Sequence, residues 1–163
     1  RIDKSTIELS GEPGSYSSSG FSNDNKSFFF ITDVGKEFSY LVKYEIETGD
    51  EEVLFQTNWD VMYSYLSENE KYRVTAVNED GKNTLFIKDL VNASDVFFPK
   101  IPDGDIKGIS ISKSEENIRL TIGTSKSPNN IYVYNMSNKD LKKLTETLNP
   151  EININDMVAA GVV

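Results

Sequence analysis

The 163-residue sequence contains no cysteine and no histidine. Without cysteine there is no disulfide, no thiolate metal site and no sulfur nucleophile. Without histidine, a Ser-His-Asp or Cys-His constellation cannot be assembled from these residues. The commonest ligand of zinc and non-haem iron is missing too. Basic residues are in deficit: 17 Lys and Arg stand against 26 Asp and Glu, for a formal charge of −9. A phosphate backbone requires a basic surface, so nucleic acid is disfavoured as a partner, and an anionic membrane surface is disfavoured for the same reason. No apolar run approaches the roughly 20 residues of a membrane-spanning helix. Nor does any stretch keep a 3.6-residue apolar period over several turns, so essentially no helix is expected. The chain opens at Arg1 rather than Met. It therefore reads as a segment of a longer protein, with any targeting signal upstream; the compartment is left open, with a soluble, periplasmic or secreted protein as the expectation.

Aromatic residues are plentiful, with 8 Tyr and 9 Phe. They sit inside short β-rich runs, the composition of half-buried strands rather than of disorder. The length suits one domain with its own core. Residues 21–56 set a pattern that the chain then writes twice more. Ser22, Ser67 and Ser112 recur at intervals of 45 residues. After each comes a polar turn (NDNK at 23–26, ENEK at 68–71, KSEEN at 113–117) and a β-rich run (FFFIT at 28–32, YRVTAV at 72–77, IRLTIG at 118–123). A third, alternating run follows (YLVKYEI at 40–46, TLFIKDL at 84–90, NIYVYNM at 130–136), then a tight turn and a short closing run. Several short strands per unit at a period in the mid-forties are the signature of a β-propeller blade.

The expected fold class is all-β: a partial β-propeller of about three four-stranded antiparallel blades, roughly 45 residues each, within one domain over 1–163. The repeats fall at about 17–57, 58–102 and 103–147, and 148–163 reads as a connecting tail. Residues 7–9 fit a leading strand, and 15–20 lead into the innermost strand of the first repeat. Gly49 and the Asp80-Gly81 pair mark hairpin turns. Trp59 opens the inner strand of repeat two, 96–98 close that repeat, and 141–145 close the third. Pro99 and Pro102 flank the step between repeats, where a ladder donor is lost cheaply. Three blades cannot close the usual ring of 4 to 8. The free faces at both ends are expected to be apolar, so the chain should pair with further blades or self-associate.

Several side-chain groups could carry chemistry, and each has a structural explanation that fits better. Asp103-Gly104-Asp105 could open a calcium loop, but the further ligands of such a loop do not follow. Glu51-Glu52 could act as paired carboxylates, yet neighbours on a strand point to opposite faces. Trp59, Tyr63 and Tyr65 could form an aromatic platform, but packing between blades accounts for them. The serines among 15–19 have no base to activate them. No catalytic, cofactor-binding or metal residue is assigned, and no cofactor is expected.

The succession of an apolar residue, Ser, a polar turn ending in Lys, a buried strand and an Ile-Tyr-Val-Tyr strand resembles the propeller repeats of the prolyl oligopeptidase family of serine peptidases. It is also similar to the propellers of the Tol-system periplasmic protein and of tricorn-type peptidases. The nearest correspondence runs from Asn130-Ile131-Tyr132-Val133-Tyr134-Asn135 to Leu144-Thr145 and Asn149-Pro150. The resemblance covers about residues 17–155. It departs from the family where Pro-Asp-Gly would follow the blade serine: 23–25, 68–70 and 113–115 stand there instead. The Gly-x-Ser-x-Gly elbow is absent. Glu115-Glu116 echoes the paired glutamates that hold a substrate amino terminus in dipeptidyl peptidases, but its place in a polar turn suggests a solvent-facing pair. What the resemblance implies is a non-catalytic segment that caps the active site of a hydrolase domain and filters its peptide substrates by size. A stand-alone propeller that binds a protein partner is the alternative.

Overall fold

In the computed structural model, which describes residues 12–98, 101, 104–124, 126–153 and 156–158, each copy of the repeat folds as an antiparallel meander. The first sheet comprises β1 (Tyr16–Phe21), β2 (Ser27–Thr32), β3 (Tyr40–Glu45) and β4 (Glu51–Phe55), paired in that order. The second holds β5 (Asp60–Leu66), β6 (Tyr72–Glu79), β7 (Lys82–Asp89) and β8 (Ser94–Asp95). The third holds β9 (Asp105–Ile111), β10 (Asn117–Gly123), β11 (Asn130–Asn135) and β12 (Asp140–Lys143). No α-helix occurs among the described residues. The sheets are three blades of a partial β-propeller, as the period of the sequence leads one to expect.

Local chemistry explains most strand boundaries. Asp80 and Gly81 both take positive φ, 51° and 75°, which makes the two-residue hairpin between β6 and β7. Gly49, at φ 78°, turns β3 into β4. The structure departs from the sequence reading at several strands. The Ser/Gly-rich stretch is itself the inner strand β1, because a meander needs a fourth strand and β2 supplies its ladder. The closing strand of the second blade is Ser94–Asp95 rather than 96–98. Only the Val96 N–H continues its ladder, to Ile87 O at 2.8 Å, while Phe98 turns to pack on Tyr134 at 6.0 Å between ring centres. Trp59 lies just before β5 rather than within it. Residues 7–9, Pro99 and Pro102 lie outside the described residues.

Alternation along each central strand sorts side chains onto two faces. Phe29, Ile31 and Leu41 of blade one meet Val61 and Val77 of blade two. Tyr72, Val74 and Ile87 of blade two meet Ile106, Ile118, Leu120, Ile122, Tyr132 and Tyr134 of blade three. The faces left at the ends differ from each other. On blade one, Tyr16, Phe28, Phe30, Val42 and Tyr44 share the leading face, where Phe30 and Val42 are already fully buried. Its rings touch in sequence: Phe21–Phe28 at 5.3 Å, Phe28–Phe30 at 5.8 Å and Tyr16–Phe30 at 5.9 Å. On blade three, Ser110, Arg119, Val133 and Lys142 stand across the free face. The expectation of an apolar face at both ends is thus corrected at the third blade, where a guanidinium and an ammonium replace rings.

Two rails of repeated hydrogen bonds join the blades, and both place the carboxylate on the following blade. At one end of the inner strands, Asp60 accepts from the Ser39 N–H at 3.0 Å, and Asp105 accepts from the Asn83 N–H at 2.9 Å. At the other end stand the serine turns. Each serine oxygen accepts the N–H five residues on: Ser22 from Ser27, Ser67 from Tyr72, Ser112 from Asn117. The residue three after each serine has φ near 60°: Asn25 at 59°, Glu70 at 58° and Glu115 at 58°. That conformation is uncommon for a glutamate. Here it aims Glu70 at the Asn23 N–H, and Glu115 at the Asn69 N–H at 2.8 Å. Asn23 and Asn69 return side-chain hydrogen bonds to Glu68 O at 2.9 Å and Lys113 O at 3.4 Å. Glu115 is therefore buried and works as a clamp, contrary to the solvent-facing reading, while Glu116 is exposed.

Burial pushes the Glu115 carboxyl up. The Ser67 hydroxyl and the N–H groups of Asn69 and Lys71 outweigh it and hold the group below the ordinary glutamate range. Asp105 follows the same logic, with Lys107 and the Asn83 N–H outweighing burial. Carboxylates depressed in this way stabilise the fold fully above the ordinary carboxylate range and lose that contribution as pH falls through their lowered values. Thermal melting followed by circular dichroism should therefore show a plateau near neutrality and a fall below about pH 4. Glu115→Gln should lower stability near neutrality by about 1–2 kcal/mol and flatten the acid limb; an unchanged melting curve would remove the clamp. Leu120→Ala, at a fully buried position between blades two and three, should cost about 2–5 kcal/mol in denaturant unfolding.

Candidate functional site: the seam between the first and second blades

The seam between blades two and three is filled by a large cluster of buried side chains, whereas the seam between blades one and two holds two cavities beside its smaller core. The difference traces to one position. Phe28, Arg73 and Ile118 stand 45 residues apart, each on the second strand of its blade. Ile118 is fully buried against blade two. In the same place on blade two, Arg73 puts a guanidinium against blade one, and space opens on both sides of it. One cavity of about 330 Å³ is lined by Ser19 and Phe21 of β1, Phe29 of β2, Leu66 of β5, Glu68 and Arg73. A second, of about 210 Å³, runs from Arg73 past Thr75, Phe86 and Lys88 to Leu54 and Phe55 of β4.

Arg73 is half-buried, and burial pulls its basicity down while Glu52 opposes that shift. Its guanidinium donates to Leu54 O at 3.3 Å. Among the described residues no carboxylate forms an ion pair with it; the ion pairs are Lys43–Glu45, Lys88–Asp95, Lys107–Asp105 and Lys143–Glu146. Around it the smaller polar groups are already engaged. Ser19 donates to Ser64 O at 2.8 Å across the seam, and Ser64 donates to Val74 O at 2.8 Å. Arg73 is the functional group that the sequence reading passed over. The signal was available, since a cation at an apolar position of a repeat stands out once the three copies are aligned.

The residues singled out from the sequence are dispersed. Asp103 lies outside the described residues. The Asp105 carboxylate is occupied by the Asn83 N–H and by Lys107 at 2.6 Å. Glu51 and Glu52 pair with Tyr44 and Lys43 on opposite faces of β4, both exposed. Trp59, Tyr63 and Tyr65 form no common platform. Trp59 packs at a tilt on Phe38 of blade one, 6.4 Å between ring centres, and Tyr63 is 37% exposed. Only Tyr65 packs on the core shared with blade three. Its hydroxyl donates to Ile109 O at 3.4 Å, and burial pushes its pKa up to about 12. Ser15 is held by its N–H on Asp33 at 2.7 Å. No group of three or more Asp or Glu suited to a metal occurs among the described residues. The Asn130 and Leu144-Thr145 correspondence has a structural basis. Buried Asn130 accepts from the Thr145 hydroxyl and the Thr147 N–H, both at 3.2 Å, and fastens the chain beyond β12 to the start of β11.

No protein-family model matches the sequence, and no curated protein sequence matches it. Solved structures do match its fold. Prolyl oligopeptidase B from Galerina marginata, bound to a 35mer hydrolysis and macrocyclization substrate, superposes with a TM-score of 0.68 at 14% identity, over 88% of this chain and 20% of that chain. TolB from Acinetobacter baumannii gives 0.56 at 18% identity, over 85% and 34%. A putative TolB from Agrobacterium tumefaciens gives 0.56 at 12% identity, over 83% and 50%. The chain spans between a fifth and a half of these proteins. Likeness at such identities speaks to fold, not to function. On that ground the chain is a partial β-propeller of the type found in TolB and in prolyl oligopeptidase B.

Proposed function

We propose that the chain is a non-catalytic propeller segment of a serine peptidase of the prolyl oligopeptidase type. In this reading it gates or caps an active site carried by a hydrolase domain outside the sequence, and peptide substrates pass it on the way there. The observation that carries the proposal is the superposition on prolyl oligopeptidase B over 88% of the chain, in a sequence with neither histidine nor cysteine. The likeness to TolB favours a second reading, a periplasmic or secreted propeller that binds a protein partner and has no enzyme attached. Reading the gene beyond the codon for Val163 separates them. A Gly-x-Ser-x-Gly elbow with Asp and His downstream supports the peptidase; a stop codon, or more blades and then a stop, supports the binding propeller. The chain alone should be inactive on chromogenic dipeptide substrates, and turnover would overturn both readings.

We also propose that the chain pairs with further blades in the parent protein, or with a second copy of itself when isolated. Size-exclusion chromatography with light scattering should show a concentration-dependent rise above 18.3 kDa. Clean monomer at the highest concentrations would rule self-association out.

A further inference from the structure

The cavity beside Arg73 has the make-up of a binding site for a small organic acid. It is concave, and its volume of about 330 Å³ falls at the small end of ligand sites. Phe29 and Leu66 give it an apolar side, set among the polar groups of Ser19, Asn23 and Ser67. Its one cation is a guanidinium that uses a single donor on Leu54 O. A guanidinium carries five N–H donors in a planar fork that matches a carboxylate in two parallel hydrogen bonds. Among the described residues no buried side-chain nitrogen or oxygen lacks a hydrogen-bond partner. The donors that Arg73 does not use therefore reach solvent, and Arg73 borders this cavity as well as the one that Leu54 lines. The remaining charge on the lining is Glu68, exposed at the rim. A protein of formal charge −9 repels free anions. A ligand that sets a carboxylate against Arg73 and keeps its other end neutral or cationic near Glu68 escapes that repulsion.

We propose that the cavity between β1 and β5 binds the α-carboxylate of an amino acid or of a peptide C-terminus, with Arg73 as the carboxylate anchor and an aliphatic side chain against Phe29 and Leu66. Arg73 then occupies an apolar position of the repeat because it binds, and the cavities in the seam are its consequence. The two ligand sources share the carboxylate and differ at the nitrogen, which is an ammonium in the free amino acid and an amide in the peptide.

The 163-residue chain, labelled with nitrogen-15, is titrated with L-leucine, L-leucinamide and N-acetyl-L-leucine. Saturable shifts at the lining residues are expected with leucine and none with leucinamide, which has no carboxylate. N-acetyl-leucine binding as well as leucine marks a peptide C-terminus as the source; binding at least tenfold weaker marks the free amino acid, with Glu68 facing its ammonium. Arg73→Gln should weaken leucine binding by at least tenfold, and Arg73→Lys, which keeps the charge without the fork, should fall between, both being checked for folding by thermal melting. The proposal is overturned if none of the three compounds moves the lining resonances, if leucinamide binds as well as leucine, or if folded Arg73→Gln binds leucine like the parent chain. The ligand series in the unmodified chain decides the matter even where the variants fail to fold.

Discussion

A four-stranded meander whose central strands are apolar on both sides cannot stay solvated on either, so it needs neighbours above and below. That constraint organises this chain. Each blade presents Phe29, Val74 or Arg119 towards the next blade, and Phe28, Arg73 or Ile118 towards the one before. Where both contributions are apolar, as between blades two and three, a large core forms around Val74, Ile118 and Leu120. Where one is a guanidinium, the seam holds two cavities beside a smaller core. The fold is therefore a sum of nearest-neighbour interfaces, as in other repeat proteins, and each interface has its own chemistry.

Apolar packing alone would let such sheets slide, because it is non-directional. The two carboxylate rails supply direction and register. Asp60 and Asp105 hold one end of the inner strands, and Glu70 and Glu115 hold the other. A charged acceptor on a backbone N–H is stronger than a neutral one, and two such points fix both translation and tilt. Blade one lacks this equipment on its leading face. Ser15 and Asn25 stand where the later blades carry Asp and Glu, and the Ser15 N–H is taken within its own blade by Asp33. Its leading face carries a run of ring contacts instead.

The serine that marks the register of the sequence also has a single physical task. Its oxygen accepts the N–H five residues on, while its backbone groups close the same turn. The turn allows residue three to take a left-handed conformation, and that conformation throws a glutamate across the seam. Strain at Glu70 and Glu115 is thus tied to an inter-blade contact rather than to catalysis. The glutamate that a sequence comparison would have placed at a substrate is consumed by the architecture.

Much was legible before any coordinates. Intervals of 45 residues, alternation in 40–46 and 84–90, and the Asp80-Gly81 turn determine an all-β repeat with hairpin connections, because pleat and turn geometry are local. The absence of histidine and cysteine determines that no His- or Cys-dependent centre lies within these residues. Local rules could not reach what depends on the neighbouring blade. The strand Tyr16–Phe21 was hidden by its serines and glycine, since its pairing comes from β2 and not from its own composition. Residues 96–98 have strand composition, yet Phe98 leaves the ladder to bury its ring on Tyr134. Glu115 and Glu116 are neighbours of identical chemistry, and only the approach of Asn69 from the preceding sheet buries one and leaves the other in water. Arg73 reads from sequence as one more strand cation. The tertiary structure sets it against blade one and opens a cavity around it, because burial and unused donors are properties of an interface and not of a residue.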